Sequence, residues 1–356
     1  MKRLLFLFAL FATAGTVLAA FGDRIVVADG QFLAGGQRLW INGANTPWHA
    51  WDDFGGRFDP VWWDSEFQSL HDHGINATRV WISCTGEVGL TIDDSGHVSG
   101  ATKAYWDDLD SLMKIAAKHR VYVLATLLSF DHMRDNHPGY VRWRKWLASD
   151  ANIDSYVGNV VVPLVRRYRD TPWLWAIDLM NEPDWVIDNP EDGRFACARL
   201  QSYFARAAVA IHANSPILVT VGLAMPRYGS DTAKGSHGNK VSDAALRGLV
   251  DDPGARLDFY TTHYYDWCAK IWGAAPYLSP ADYRMPLDKP SVLGEMPAKG
   301  TEGHTTAQDY ESAFEKGWQG AMAWTSDAVD DNGGMDVLGP ATSAFAARHP
   351  GLVFPR

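Results

Sequence analysis

From Trp173 to Asn181 the chain reads with a period of two. Trp173, Trp175, Ile177 and Leu179 fall on one face; Leu174, Ala176, Asp178 and Met180 fall on the other. Such alternation predicts a β-strand. Asn181-Glu182-Pro183 ends it, because proline donates no amide and holds the residue before it extended. A second apolar strand, Val292-Leu293-Gly294-Glu295, halts in the same way before Pro297. Apolar runs at residues 38–45, 75–83, 121–129, 217–224, 257–265 and 321–326 predict further strands. Helical patterns at 60–73, 105–119, 153–168, 199–213, 243–250, 306–318 and 341–348 lie between or after them. Eight strands, each followed by a helix or long loop, predict an α/β chain folded as a (β/α)8 TIM barrel. Residues 24–27, the turn Asp29-Gly30, Phe32-Leu33 and Gly35-Gly36 add a small N-terminal β-hairpin.

Composition changes the picture at the start of the chain. Lys2-Arg3, an apolar run over 4–18 and the small residues of Val17-Leu18-Ala19-Ala20 read as a signal peptide in residues 1–20, cleaved after Ala19 or Ala20. The run is short for a membrane span and no later one is long enough, so a secreted or periplasmic protein is expected. The remainder, 21–356, has no linker or low-complexity stretch and reads as a single domain. Losing Lys2 and Arg3 leaves 30 of the 32 basic residues against 42 acidic ones, a net charge of −12. That balance argues against nucleic acid or an anionic membrane surface as partner and fits a neutral substrate. Cys84, Cys197 and Cys268 lack the spacing of a zinc site and are too few for a disulfide scaffold. In an oxidising compartment two of them can pair, leaving one thiol free. Neither metal nor cofactor is expected, and the protein is expected to be a monomer.

In a barrel all strand ends meet on one rim, where chemistry sits. The second strand carries Arg79, and the third ends in Ser129-Phe130-Asp131-His132. The fourth ends in Asn181-Glu182, the sixth in His263-Tyr264-Tyr265-Asp266, the seventh in Glu295 and the eighth in Trp324. The fourth and seventh strands lie nearly opposite, so Glu182 and Glu295 are expected to face each other over a cleft. Two carboxyls flanking a bond are what glycoside hydrolysis needs: one protonated to serve the leaving oxygen, one ionised to attack the anomeric carbon. Arg79 and a tyrosine hydroxyl of the sixth strand can hold Glu295 ionised, while Glu182, further from that charge, keeps its proton.

Arg79 in TRVW, Asn181-Glu182-Pro183, His263 and Tyr265 in HYYDW, Glu295 in LGEM and Trp324 in AMAW together resemble clan A of the glycoside hydrolases. The chain is most similar to family 5, which holds endo-β-mannanases and endo-β-glucanases. The resemblance runs from the first strand to the last. It implies a retaining double displacement, with Glu295 as nucleophile and Glu182 as acid/base. It further implies that Asn181 contacts the sugar 2-hydroxyl, that Arg79, His263 and Tyr265 position or polarise Glu295, and that Trp324 forms a sugar platform. The implied substrate is a β-1,4-linked plant polysaccharide, with HYYDW favouring β-mannan over β-glucan. Transglycosylation and a non-catalytic carbohydrate-binding role are the rival readings. The end of the third strand, SFDHM, matches no family signature, so Asp131 and His132 are cleft candidates without roles.

Other groups have plainer readings. Asp178 is expected to be a buried structural partner. Of the 16 tryptophans, Trp62, Trp63, Trp106, Trp143, Trp146, Trp173, Trp175 and Trp318 read as core. Trp48, Trp51, Trp185, Trp267, Trp272 and Trp324 fall on the rim side, where indole faces can pack on sugar rings. His71-Asp72-His73 looks like a metal pair but precedes a strand at the opposite face of the barrel, which predicts a solvated helix end. The runs starting at Asp93 and Asp330 lack the full calcium-loop pattern and read as turns.

Overall fold

The computed structural model describes residues 23–188, 195–272 and 278–355; the expected signal peptide lies outside them. The core is a closed parallel barrel of eight strands in sequential order. These are β1 (Ile41–Asn45), β2 (Ala77–Trp81), β3 (Tyr122–Thr126), β4 (Leu174–Asn181), β5 (Leu218–Leu223), β6 (Tyr260–His263), β7 (Ser291–Pro297) and β8 (Gly320–Trp324). All eight residues of β4 are buried, as strands covered on both faces by helices and barrel interior must be.

The expected N-terminal hairpin gains a third strand. Ile25–Ala28, Gln31–Ala34 and Gln37–Leu39 form an antiparallel sheet, so residues 37–39 pair there rather than opening β1. Phe32 stands edge-on to both Trp175 and Phe259, at 5.4 and 5.3 Å between ring centres. Trp175 and Phe259 lie at the N-terminal ends of β4 and β6, so the small sheet packs against the end of the barrel opposite the strand C-termini.

Helix starts follow local chemistry. Asp59 caps Pro60–Asp72 through bonds from the Val61 and Trp62 amides, and Pro60 fills the first turn, where a missing amide costs nothing. Thr305 and Gln308 form a reciprocal capping box on Thr306–Glu315. The helix expected over 153–168 is broken instead. Asp150–Tyr156 passes through a wide π-turn, Val157–Val161, into Val162–Tyr168, because Pro163 has no amide for the regular ladder. A separate helix, Tyr140–Ala148, precedes it. The last helix starts at Met335, ahead of the expected 341, and carries Pro340 inside it.

A hairpin absent from the sequence reading, Leu90–Ile92 with Val98–Ala101, follows β2. Its turn is the Asp93 run: Asp93 Oδ1 accepts bonds from the Ser95 amide and hydroxyl and from the His97 amide. His71-Asp72-His73 is a helix end, with Asp72 held by Gln68 and the His73 ring on the Ser69 carbonyl. No two of the three cysteines are paired. All three cysteines are thiols, and two are engaged by the backbone: Cys84 Sγ accepts from the Asp52 amide and Cys268 Sγ from that of Tyr265. Among the described residues no helix is long and apolar enough to cross a membrane.

Candidate active site

Arg79 is the hub at the top of the barrel. Its guanidinium is fully buried and donates five hydrogen bonds of 2.7 to 3.1 Å. Nε and Nη2 reach Asp178 Oδ2, Nη2 also reaches Asn181 Oδ1, and Nη1 reaches Asn45 Oδ1 and Glu295 Oε1. Asp178 is the structural partner the sequence suggested, and it also takes the Gly222 amide at 2.8 Å. A Cβ on Gly222 would lie 3.0 Å from both the Arg79 Nη2 and the Asp178 Oδ2 atoms, so β5 needs glycine for this ion pair to fit. Burial opposes the Arg79 charge, but Asp178 and Glu295 outweigh it and hold the guanidinium firmly protonated.

Two register shifts bring the other groups in. Along β6, Thr262 pairs with Leu293 and His263 with Glu295, so β7 carries an extra residue, Gly294. This bulge places Glu295 beside His263. A similar shift between β4 and β5 precedes Asn181. Beyond it Glu182 has a left-handed backbone, φ 46°, pinned by a 2.7 Å bond from its amide to the Gly222 carbonyl. A non-glycine residue in this region carries backbone strain, which collects at functional sites.

The two glutamates are bridged by one imidazole. His263 Nδ1 lies 2.8 Å from Glu182 Oε1 and 3.3 Å from Glu295 Oε2. Both neighbours are acceptors, which assigns the ring proton to Nδ1. Burial lowers the His263 pKa to about 4, so the ring serves as a neutral donor. Glu295 takes a second bond on Oε2 from the Tyr265 hydroxyl, 2.8 Å long. Burial and the two carboxylates push the Tyr265 pKa up and keep it a phenol.

Burial pushes both glutamates above the ordinary carboxylate value. Glu182 reaches about 7, although Trp185 and Arg79 pull it down. Glu295 is drawn back by His263, by direct contact with Arg79 and by Tyr265. The ion pair is on Glu295, so the geometry leaves the shared negative charge there and the proton on Glu182. One ligand-capable atom from each of Glu182, His263 and Glu295 lies within 4.8 Å of the others. Those atoms are bonded to one another, with the histidine proton between them, which is a poor cage for a cation.

The pair opens into a cleft of about 610 Å³. Every rim tryptophan with a described side chain, Trp48, Trp51, Trp185, Trp267 and Trp324, lines it; the side chain of Trp272 lies outside the described residues. Trp48, Trp51 and Trp324 cluster with Trp81, while Trp185 and Trp267 lean together at 5.7 Å. Asn181, Tyr265 and Asp131 also line the cleft, whereas Arg79 and His263 support it from beneath. His132 is buried behind Asp131, bonded to Ser83 and Ser129.

Sequence reasoning missed Trp81, Phe130, Asp330 and Asn332, all of which line the cleft. Trp81 and Phe130 were legible as strand-end aromatics on the rim side. Asp330 does form the expected turn, but its Oδ2 also accepts the Trp324 indole proton at 2.9 Å.

No family model matches the chain. It is 25% identical over 346 residues to a mannan endo-1,4-β-mannosidase of Mytilus edulis, an alignment covering 91% of this chain and 90% of that protein. The solved β-1,4-mannanase of the sea hare Aplysia kurodai is 26% identical, with a TM-score of 0.79 over 93% of this chain and 99% of that one. In sequence and fold the chain is similar to endo-β-mannanases. The β-1,4-D-mannanase of Cryptopygus antarcticus shares the barrel, with a TM-score of 0.82 at 22% identity over 91% of this chain and 94% of that one.

Proposed function

We propose that the chain is a retaining endo-β-1,4-mannanase whose single catalytic domain is the barrel, exported by its N-terminal segment. The observation that carries the mechanism is the closeness of the two carboxyls: an oxygen of Glu182 lies within 4.8 Å of one of Glu295. Retaining glycosidases hold their carboxyls about 5–5.5 Å apart, whereas inverting ones leave room for a water between them.

In the first step Glu295 attacks the anomeric carbon. The glycosidic C–O bond breaks, its electron pair goes to the leaving oxygen, and that oxygen takes the Glu182 proton. In the second step a water oxygen attacks the same carbon, the bond to Glu295 breaks with its electrons returning to the carboxylate, and Glu182 takes the water's proton. Arg79 and Tyr265 hold the Glu295 oxygens, Asn181 on the cleft wall serves the sugar 2-hydroxyl, and the indoles lining the cleft give the polymer faces to stack on. Similarity to endo-acting mannanases favours cleavage inside a chain over trimming of its end.

The test is release of reducing ends from mannan, glucomannan, a cellulose derivative, mixed-linkage glucan and xylan by the wild type and by Glu295→Ala. The expected result is cleavage of the mannans by the wild type alone, with β-anomeric products at first appearance by NMR. Binding without cleavage would replace the enzyme reading by a carbohydrate-binding one. α-Anomeric products would overturn retention.

A further inference from the structure

We infer that Trp185 is a positioning residue for Glu182: its indole N–H holds the carboxyl and favours its ionised form, so one side chain lines the cleft and helps turn the acid into the base. The inference rests on the proposed mechanism and extends it.

Both oxygens of Glu182 are engaged. Oε1 faces His263 Nδ1 at 2.8 Å and Oε2 faces Trp185 Nε1 at 2.8 Å. Because the backbone of Glu182 is pinned to β5, these two bonds fix what freedom its side chain has left. An indole nitrogen only donates. Its bond to Oε2 is therefore strongest when the carboxyl is charged and weak when it is neutral.

The other groups around Glu182 leave this donor decisive. Glu295 on β7 and Asp131 after β3 oppose ionisation, as does burial. On its own turn Asp184 is buried and raised to about 8, adding no positive charge. Arg79 favours ionisation but is already shared among four acceptor residues. The His263 Nδ1 proton also favours the charged form but is shared between Glu182 and Glu295, and both the Tyr265 hydroxyl and the Cys268 thiol stay protonated. Trp185 is thus the donor that acts on Glu182 alone among the carboxyls. It comes from the short helix Asp184–Asp188 that the chain enters directly after Pro183.

The two steps place opposite demands on Glu182. Glycosylation needs its proton, and hydrolysis of the glycosyl-enzyme needs its carboxylate. Trp185→Phe keeps an aromatic ring on the cleft wall and removes the N–H. The expected result is an alkaline limb of kcat/KM moved up by about 1 pH unit, the value of a hydrogen bond to a charged group. A dinitrophenyl β-oligomannoside, whose leaving group needs no proton, should then show a burst approaching one equivalent at neutral pH, because the second step has slowed. A raised KM with the limb and burst unchanged would mean that the indole only stacks, and the inference would fail.

A second measurement uses the ligand-free protein and no turnover. Among the indole N–H signals of the 16 tryptophans, one should titrate near pH 7 in the wild type and cease to do so in Glu182→Gln. If none does, Trp185 is not coupled to Glu182. Because this readout is independent of activity, a protein that cuts no glycoside but shows the titration separates failure of the enzyme reading from failure of this one.

Discussion

Replacing Arg79 by methionine tests whether the buried guanidinium sets the charge of Glu295 or only fills the barrel mouth. Methionine occupies much of the same space and removes five hydrogen bonds and two ion pairs. Asp178 and Glu295 then lie in an apolar setting without their cation. Breaking a buried pair by deleting one partner costs about 3–5 kcal/mol. At roughly 2 °C per kcal/mol for a chain of this size, the unfolding midpoint should fall by about 6–10 °C. Part of that loss returns if the orphaned carboxyls take up protons.

The same deletion has a distinct effect on pH dependence. A cation beside a carboxyl lowers its pKa by about 1–3 units. Without Arg79 the Glu295 pKa rises by that amount, so more alkaline solution is needed to ionise the nucleophile. The acid limb of kcat/KM should therefore move up by about 1–3 units, toward the limb of Glu182 near 7, leaving a narrow, low bell. The assay is a pH profile on soluble mannan below the melting range of the variant, alongside calorimetry. A fall in stability with the acid limb unmoved would refute the reasoning, since Arg79 would then be structural only.

Glu182→Gln should lose about 10²–10⁴-fold on mannan, where the leaving sugar needs a proton, and far less in the first turnover of a dinitrophenyl glycoside; equal losses on both would remove its role as acid. Asp330→Ala frees the Trp324 indole proton and should raise KM about fivefold, an effect of ~1 kcal/mol, with Asp330→Asn largely restoring it because the amide oxygen can still accept. Asp184 is a buried carboxyl whose pKa burial raises to about 8, so between roughly pH 4 and 8 the folded chain holds a proton that the unfolded chain releases. Its contribution to stability is present at low pH and lost as pH rises through that window. Asp184→Asn should therefore be more favourable at pH 9 than at pH 5, by at most about 4 kcal/mol in urea titrations; a pH-independent difference would count against a protonated Asp184.

Local pattern was enough to find the eight barrel strands and the prolines that stop two of them. An apolar run halted before proline says that Glu182 and Glu295 sit near strand ends, and alternation with helices says that those ends share a rim. The sequence also marked Arg79 and Tyr265 through the family resemblance, and the rim tryptophans because they stand in or just beyond the C-terminal ends of strands. Other features depended on contacts far apart in the chain, which no local periodicity records. The extra residue at Gly294 exists only relative to β6, yet it sets Glu295 beside His263. The bond from Trp185 to Glu182 depends on the left-handed turn at Glu182 and on where β5 holds it. Asp330 reads as a plain turn residue until the barrel closes and puts the Trp324 indole within reach. Cys84 and Cys268 look available for pairing until packing buries each under a backbone amide. Side-chain period and chain-breaking residues are short-range properties that the sequence carries by itself, whereas register, closure and the partners of buried polar groups are decided only when distant segments meet.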